Sequence, residues 1–565
     1  MKNSWWFILV VIICRAQTPY PAHDFIAPLP IPLQLSGNFG ELRANHFHAG
    51  FDFKTNQKEG YPVVAAANGY VSRIKISAFG YGKALYISHP NGYTSVYGHL
   101  QKAVGQTETY IKHKQYELKQ FEIDVFLKPD ELPVFQGDTI ALSGNTGGSD
   151  GPHLHFEIRD TKTEKIINPF HFGFAELLKD SKSPYVVSLQ AYPIETQSEV
   201  NSQMQPFSLA LNKDKSGDYI SEILQVRGKI GLGIQAFDFD DVSYNSNGLY
   251  KVETFLNGQP HYSYVFDTFS FDETRHVNAL LDYGIYKESG LKIQKLYRES
   301  LYPSSIISEP NSTGIIDVQP KQNSLYRIEI SDFVGNKTCI QVPIRYASKA
   351  RKTNHKVTEY NYLIRADRES IIEEDGFSVQ FPVHSVYANV PMYIYRAGNE
   401  FHLHTDRVAL QSPVVFHVKD SLHSPEQKAK MYLALVDGKK PKFVTSQITA
   451  EGFRAYVKML GTYSLLTDEL TPLIKPLKNP EGLDVTSWAE LSFLISDEQS
   501  GISTYEGTLN GEWILFEYDA KTSRLSHQIA DGKLRHGKNC LQLKVTDRVG
   551  NSAIFEACFT AQTTP

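Results

Sequence analysis

At 565 residues, with 41% hydrophobic and 12% aromatic side chains, the chain has room for about three to five domains, each able to bury a core. Lys and Arg (57) nearly balance Asp and Glu (62), giving a net charge of −5, so no polyanion-binding surface and no nucleic-acid partner is expected. Four cysteines in a chain this long exclude a disulfide scaffold.

Residues 1–16 carry the marks of an export signal. Lys2 supplies the positive start, Trp5 to Ile13 is an apolar run too short for a stable anchor, and Cys14-Arg-Ala16 places small residues at −3 and −1 before Gln17. Cleavage is expected after Ala16, with the product in the periplasm, cell envelope or medium. Lipidation at Cys14 is disfavoured because Ile13, not a small residue, precedes it. No later stretch approaches the roughly 20 apolar residues of a membrane helix, so the mature chain is expected to lack a transmembrane segment.

From residue 17 to about 180 the pattern is short alternating runs broken by Gly and Asn turns, such as Gly69-Tyr-Val-Ser-Arg-Ile-Lys-Ile76 and Lys83-Ala-Leu-Tyr-Ile-Ser88. This predicts a small antiparallel β-sheet domain. Within it, Glu108 to Lys119 has helical spacing and a strand is expected at Phe121 to Phe126, so about 101–133 reads as an insertion. Lys179 to Pro184 is a polar linker. Beyond it, Gly248 to Gly258 resembles Gly501 to Gly511. Tyr326-Arg-Ile-Glu-Ile-Ser-Asp-Phe-Val-Gly-Asn336 likewise resembles Leu541-Gln-Leu-Lys-Val-Thr-Asp-Arg-Val-Gly-Asn551. The repeated turns predict two immunoglobulin-like β-sandwiches, at 185–347 and 472–565. Between them, 352–470 is a β domain of uncertain type. The fold class is therefore mostly all-β: one small sheet domain with a helical insertion, then three sandwich or immunoglobulin-like domains. Cys540 and Cys558 lie equidistant from the Val549-Gly-Asn551 turn and are placed to pair across a hairpin, leaving Cys339 free and buried.

Chemistry concentrates in the first domain. In Gly144-Asn-Thr-Gly-Gly-Ser-Asp-Gly-Pro-His-Leu-His-Phe-Glu-Ile158, a Gly-rich loop delivers His153 and His155 to one face of a strand, with Leu154 and Phe156 facing a core. Asn45-His-Phe-His-Ala-Gly-Phe-Asp-Phe53 adds His48 and Asp52, four apart; in an extended strand both share a face, with Phe51 and Phe53 opposite. Tyr97-Gly-His-Leu100 adds His99 at a strand end. Five candidates exceed the three protein ligands of a catalytic zinc site and leave two imidazoles for proton transfer.

Taken together, H-x-x-x-D, Y-x-H-L and G-N-T-G-x-S-x-G-P-H-L-H-F-E resemble the LytM/lysostaphin-type zinc metallopeptidases over about residues 36–170. The resemblance implies that His48, Asp52 and His155 hold one Zn2+, that His99 and His153 are the catalytic histidines, and that peptidoglycan peptides are the substrate. It further implies a small, mostly antiparallel β-sheet fold with the metal in a groove. No H-E-x-x-H motif supplies a Glu base. His46 is a weaker alternative to His48, since six residues separate it from Asp52. His402-Leu-His-Thr-Asp406 lacks the Gly-Pro loop and a nearby H-x-x-x-D, so it reads as a solvated strand. His89 reads as a loop residue, and Tyr81 is open between groove-lining donor and turn residue. The insertion follows His99 directly, so it is expected either to stand on the groove rim or to be packed decoration. The C-terminal β domains are expected to hold the wall or cell-envelope proteins. Two alternatives stay open: a non-catalytic wall-binding regulator of another hydrolase, and a zinc peptidase acting on Gly-rich polypeptides.

Overall fold

The computed structural model describes residues 20–348, 360–438 and 440–562; the export signal and Cys14 lie outside the described residues. The chain is built mostly of antiparallel strands. The first domain holds strands β1 (Leu35–Gly37), β2 (Phe51–Lys54), β3 (Gly69–Ile76), β4 (Lys83–Ser88) and β5 (Tyr93–Gly98). Helix α1 (Gly105–Leu118), β6 (Ile123–Phe126) and β7 (His153–Asp160) follow. Its main sheet runs β1-β2-β7-β5-β4-β3-β6, with every neighbouring pair antiparallel.

The pleat of β7 decides the layout. Leu154, Phe156 and Ile158 are fully buried on the core face with Phe51 and Phe53 of β2, while His153, His155, Glu157 and Arg159 take the other face. Register does the rest, pairing His155 with Asp52 on one side and with Gly98 on the other. The expected single strand through His48 and Asp52 is not formed. His46–Phe47 is a separate short strand, residues 48–50 connect it with a bend at Gly50, and β2 starts at Phe51. His48 therefore reaches the site from the segment between two strands, its backbone bonded to Gly40 and Glu41, and not from the face of one strand shared with Asp52.

The first domain is not insulated from the second. Ile166–Ile167 pairs with Thr268–Phe269, so the 185–347 segment lends a strand to the first sheet. Phe39 stacks on Phe269 at 4.7 Å and Phe47 meets Phe266 at 5.2 Å, within one apolar core that runs through both. In the second domain the long strand Leu224–Phe237 is shared between two sheets, pairing with Tyr185–Pro193 and with Lys337–Tyr346. Residues 360–468 form two five-stranded sheets about their own core, and the last domain is two four-stranded sheets about another. The sequence repeat is a structural one: Lys251–Leu256 pairs with Asn323–Ser331 as Ile502–Leu509 pairs with Gly537–Asp547. Cys540 and Cys558 face each other across the last hairpin and are disulfide-bonded. Cys339 is free but only partly buried, because its strand position faces a polar surface near Asp218 and Glu329.

The insertion does not stand on the groove rim. Its helix is the platform on which the last domain docks. Tyr116 packs edge-on against Trp513 at 5.5 Å and donates to Asp531 at 2.9 Å. Glu517 bridges Lys83 of β4 (2.6 Å) and Lys112 of α1 (3.0 Å). Burial opposes the Glu517 charge, but the two lysines outweigh it and hold its pKa at about 2, against an ordinary 4.5. The stabilisation is thus complete above about pH 4.5 and is lost as pH falls towards about 2. Glu517→Gln is expected to cost about 1–3 kcal/mol at neutral pH, since it takes the carboxylate from Lys83 and leaves Lys112 only Asp531, at 3.5 Å. Denaturation followed by the fluorescence of Trp488 and Trp513 should show that deficit shrinking with acid; an unchanged midpoint at pH 7 would remove the bridge from the stability account.

Candidate active site

All five predicted residues converge. His48 Nε2, Asp52 Oδ1 and His155 Nδ1 lie 2.9–3.2 Å apart (His48–Asp52 3.1 Å, His155–Asp52 2.9 Å, His48–His155 3.2 Å). All three residues are buried. A tetrahedral zinc with bonds of about 2.0–2.1 Å needs donor atoms roughly 3.3 Å apart, so two imidazoles and a carboxylate at this spacing fit such an ion.

The remaining ring nitrogens are committed elsewhere. His48 Nδ1 donates to the Asn38 carbonyl at 2.7 Å, and His155 Nε2 donates to Glu157 Oε1 at 2.8 Å. Both tautomers are thereby set with the bare nitrogen inward, as metal ligands require. Asp52 turns its other oxygen to Arg43 at 2.5 Å. Burial opposes the Asp52 charge, but His48, His153 and His155 outweigh it and hold the carboxyl well below its ordinary range. It stays ionised.

His99 and His153 face each other across the pocket, ring centres 4.7 Å apart. His99 Nδ1 donates to the Thr146 carbonyl at 2.8 Å, and His153 Nδ1 to the Gly151 carbonyl at 2.8 Å. The Nε2 atoms are left inward, that of His153 being 3.3 Å from Asp52 Oδ1. Burial, with repulsion from His155 and His153, pulls the His99 pKa down to about 3, so this imidazole is neutral at ordinary pH. His99 itself sits at φ +58°, just past the end of β5, which turns its ring back over the sheet. The loop carrying Thr146 needs Gly147: its φ is +71°, and a Cβ there would lie 2.3 Å from the Gly82 nitrogen.

Behind His155 lies a chain of groups of which the sequence marked only Tyr81, as a groove-lining donor or a turn residue. Glu157 takes His155 on one oxygen, together with the Tyr81 hydroxyl, and Arg159 on the other at 2.6 Å. Tyr81 also stacks on the His155 ring at 5.0 Å, so it is a support for that ring rather than a plain turn residue. Strand alternation was the available signal, since 153, 155, 157 and 159 share a face. Glu157→Gln is expected to weaken metal binding about 10–100-fold, the usual effect of losing such a partner. Competition with a chromogenic chelator measures it; unchanged affinity would make Glu157 purely structural.

His46 is exposed and bonds its own loop, and His402 stacks on Tyr395 with Nδ1 near Thr462, so neither joins a metal-competent group among the described residues. His89 is buried between the Asn68 carbonyl and Ser95. The five site residues line a groove of about 1580 Å³ whose far wall comes from the second domain, through Tyr244, Asn245, Phe271, Thr274, Tyr286 and Lys292. Lys54 ties that wall to β2 by bonds to Ser243 (2.8 Å) and Asn245 (2.7 Å), and its ammonium lies over the Tyr244 ring. No residue of the insertion lines the groove. The last domain touches its rim instead, where Lys521 Nζ donates to the carbonyls of Asn145 and Ser149 in the loop that carries His153.

The family Peptidase family M23 matches residues 46–116, and a Zu5-like domain matches 361–468. An uncharacterized metalloprotease of Haemophilus influenzae is 36% identical over 110 residues, 20% of this chain and 18% of its own length. The peptidoglycan DD-endopeptidase ShyC of Vibrio cholerae is 31% identical over 126 residues, 22% of each chain. The lipoprotein NlpD of Yersinia enterocolitica is 32% identical over 113 residues, 20% of this chain and 90% of that one. The chain thus spans about a fifth of the length of the first two relatives. With the matched segment carrying His48, Asp52 and His99, the chain belongs, through its first domain, to peptidase family M23.

Proposed function

We propose that the protein is an exported zinc metalloendopeptidase that hydrolyses peptide bonds of peptidoglycan, in cross-bridges or stem peptides. The observation that carries this reading is the pairing of a three-donor metal set with two imidazoles whose Nε2 atoms are bare and inward. Zinc, when bound, polarises the scissile carbonyl and lowers the pKa of a water to about 7. His48, Asp52 and His155 hold it. His153 and His99, each with Nδ1–H tied to a backbone carbonyl, present acceptors to the attacking water: one takes its proton, the other orients it. The protonated imidazole then serves the leaving amine. Substrate lies along the groove between the first and second domains, where exposed Tyr244 and Phe79 offer ring surface and Arg43 and Lys292 offer charge. The domains beyond residue 360 hold the wall or a cell-envelope protein. The Vibrio cholerae relative's name supports peptidoglycan as the substrate class.

The test is digestion of purified peptidoglycan by the mature protein, with released muropeptides identified by mass spectrometry in the presence and absence of chelator. New amino termini that vanish with chelator and return with zinc are expected. Chelator-insensitive binding without new termini would end the enzyme reading, and new termini only in Gly-rich protein would move the substrate class.

A further inference from the structure

The repeated hairpins carry more than a turn. Asp332 and Asp547 each close their own Asp-x-Val-Gly-Asn turn in the same way. Oδ1 accepts from the backbone N–H of the Asn four residues on (2.9 and 2.8 Å), and Oδ2 accepts from that Asn side chain (2.7 Å in both). Turn chemistry needs nothing further. Yet two more aspartates join each of them from equivalent places. Asp180 and Asp468 lie in the segments that lead into the second and last domains. Asp238 and Asp497 directly follow the strands Leu224–Phe237 and Glu490–Ser496. In each group of three, one oxygen per carboxylate lies within 4.8 Å of the others.

No cationic partner explains either cluster. Among the described residues, no Lys, Arg or His side chain forms an ion pair with any of the six carboxylates; the Lys182 backbone N–H donates to Asp180 (3.1 Å), while the Lys430 ammonium bonds Asn551 Oδ1 (2.5 Å) and the Lys182 ammonium bonds the Asp240 carbonyl (2.6 Å) nearby. Burial and the adjoining carboxylates push Asp238 up to about 8, and burial is also the main cause that raises Asp180 to about 6. Such mutual repulsion is costly unless a positive charge lies between the groups.

A second observation points to what that charge is. Asn247, 5% exposed and outside the triad, has its side-chain oxygen buried without a partner, as is Asp238 Oδ1. Both residues line a cavity of about 30 Å³ with Asp180 and Asp240. That is room for one small ion or water. In the last domain the Ser500 hydroxyl is likewise buried and unpartnered, beside Asp468, whose Oδ2 accepts the Ser500 N–H at 3.0 Å. The Asn247 and Asp238 oxygens, left without a donor in one small space beside Asp180 and Asp240, suit a hard divalent cation.

We propose that Asp180, Asp238 and Asp332, with the Asn247 oxygen, form a Ca2+ site, and that Asp468, Asp497 and Asp547 form its duplicate in the last domain. Each ion would pin an incoming interdomain segment to the loops of the domain it enters. The first site also borders Asn38, whose carbonyl orients His48, so the ion would stiffen the seam behind the active site. Carboxylate-rich sites in extracellular modules bind with Kd of about 10⁻⁴–10⁻³ M, and that range is expected here.

The test uses the full mature chain, zinc-loaded so that the peptidase site does not compete, and stripped of calcium. Equilibrium dialysis against radioactive Ca2+ is expected to give two ions per chain, and the melting temperature should rise by several degrees with calcium. Asp238→Asn should remove one ion and Asp547→Asn the other, both isosteric changes with zinc content as the control for folding. No uptake by the wild-type chain at millimolar calcium overturns the proposal, a result that needs no variant. So do unchanged stoichiometry in both variants, and equal stabilisation of both variants with and without calcium, which would mean that protons alone neutralise the clusters. One ion, lost in Asp238→Asn, retains the first site and overturns the second.

Discussion

Asp52→Asn is expected to remove metal and hydrolysis together. The substitution keeps shape and volume, but it takes the one negative charge from a site that also holds His48, His153, His155 and Arg43. As a ligand, Asp52 Oδ1 is the shared point of the set, within 3.1 Å of both imidazole donors. A neutral amide oxygen there leaves a divalent ion facing two imidazoles and a guanidinium whose remaining carboxylate partner is Glu41, at 3.3 Å. Lewis-acid stabilisation is worth several kcal/mol, so the loss should exceed about 10³-fold in rate. Zinc per chain after dialysis, read by plasma mass spectrometry beside muropeptide release, checks both halves. A variant with full zinc and full rate would show that the carboxylate is not a ligand. Arg43→Ala makes a graded companion, since it frees one Asp52 oxygen without touching the donor set.

His99→Ala and His153→Ala are expected to separate from Asp52→Asn by keeping the metal. Neither ring belongs to the three-donor set, and each is anchored by a carbonyl of the Gly144–Pro152 loop through Nδ1. Each substitution should therefore lower kcat by about 10²–10⁴-fold, the range for a positioned acid or base, with zinc content unchanged and KM changed far less. If either variant loses zinc in step with activity, the roles of the five residues have to be redrawn. If one retains near wild-type kcat, a single imidazole carries the proton and the other is a wall. His153→Ala is the more informative of the two, because its loop is also where Lys521 of the last domain bonds. Lys521→Ala should reproduce a small part of the His153 defect if that contact steadies the loop.

Much of the centre was legible because it is encoded locally. The two-residue period of His153-Leu-His-Phe-Glu157 places two imidazoles and a carboxylate on one face whatever the rest of the chain does. Gly147 and Pro152 mark the loop before it, and the equal spacing of Cys540 and Cys558 from their turn makes a cross-strand pair of them. His48 shows the limit of such reasoning: it joins Asp52 and His155, but from the segment between two strands rather than from one strand face. Spacing alone cannot tell a four-residue extension from a turn that returns to the same face.

Tertiary structure decided what depends on contacts hundreds of residues apart. The helix at Gly105–Leu118 follows His99 in sequence, which left it open between a groove-rim element and packed decoration. It became the seat of the last domain because Glu517, Trp513 and Asp531, about 400 residues later, offer it charge and ring partners. The groove's second wall, at Tyr244 and Phe271, and the two three-aspartate clusters are likewise assembled from distant segments. The sequence by itself determined which side chains share a strand face and which turns close, since those follow from backbone periodicity. Which face meets which domain rested on burial and charge pairing between remote segments, and only the folded chain brings those together.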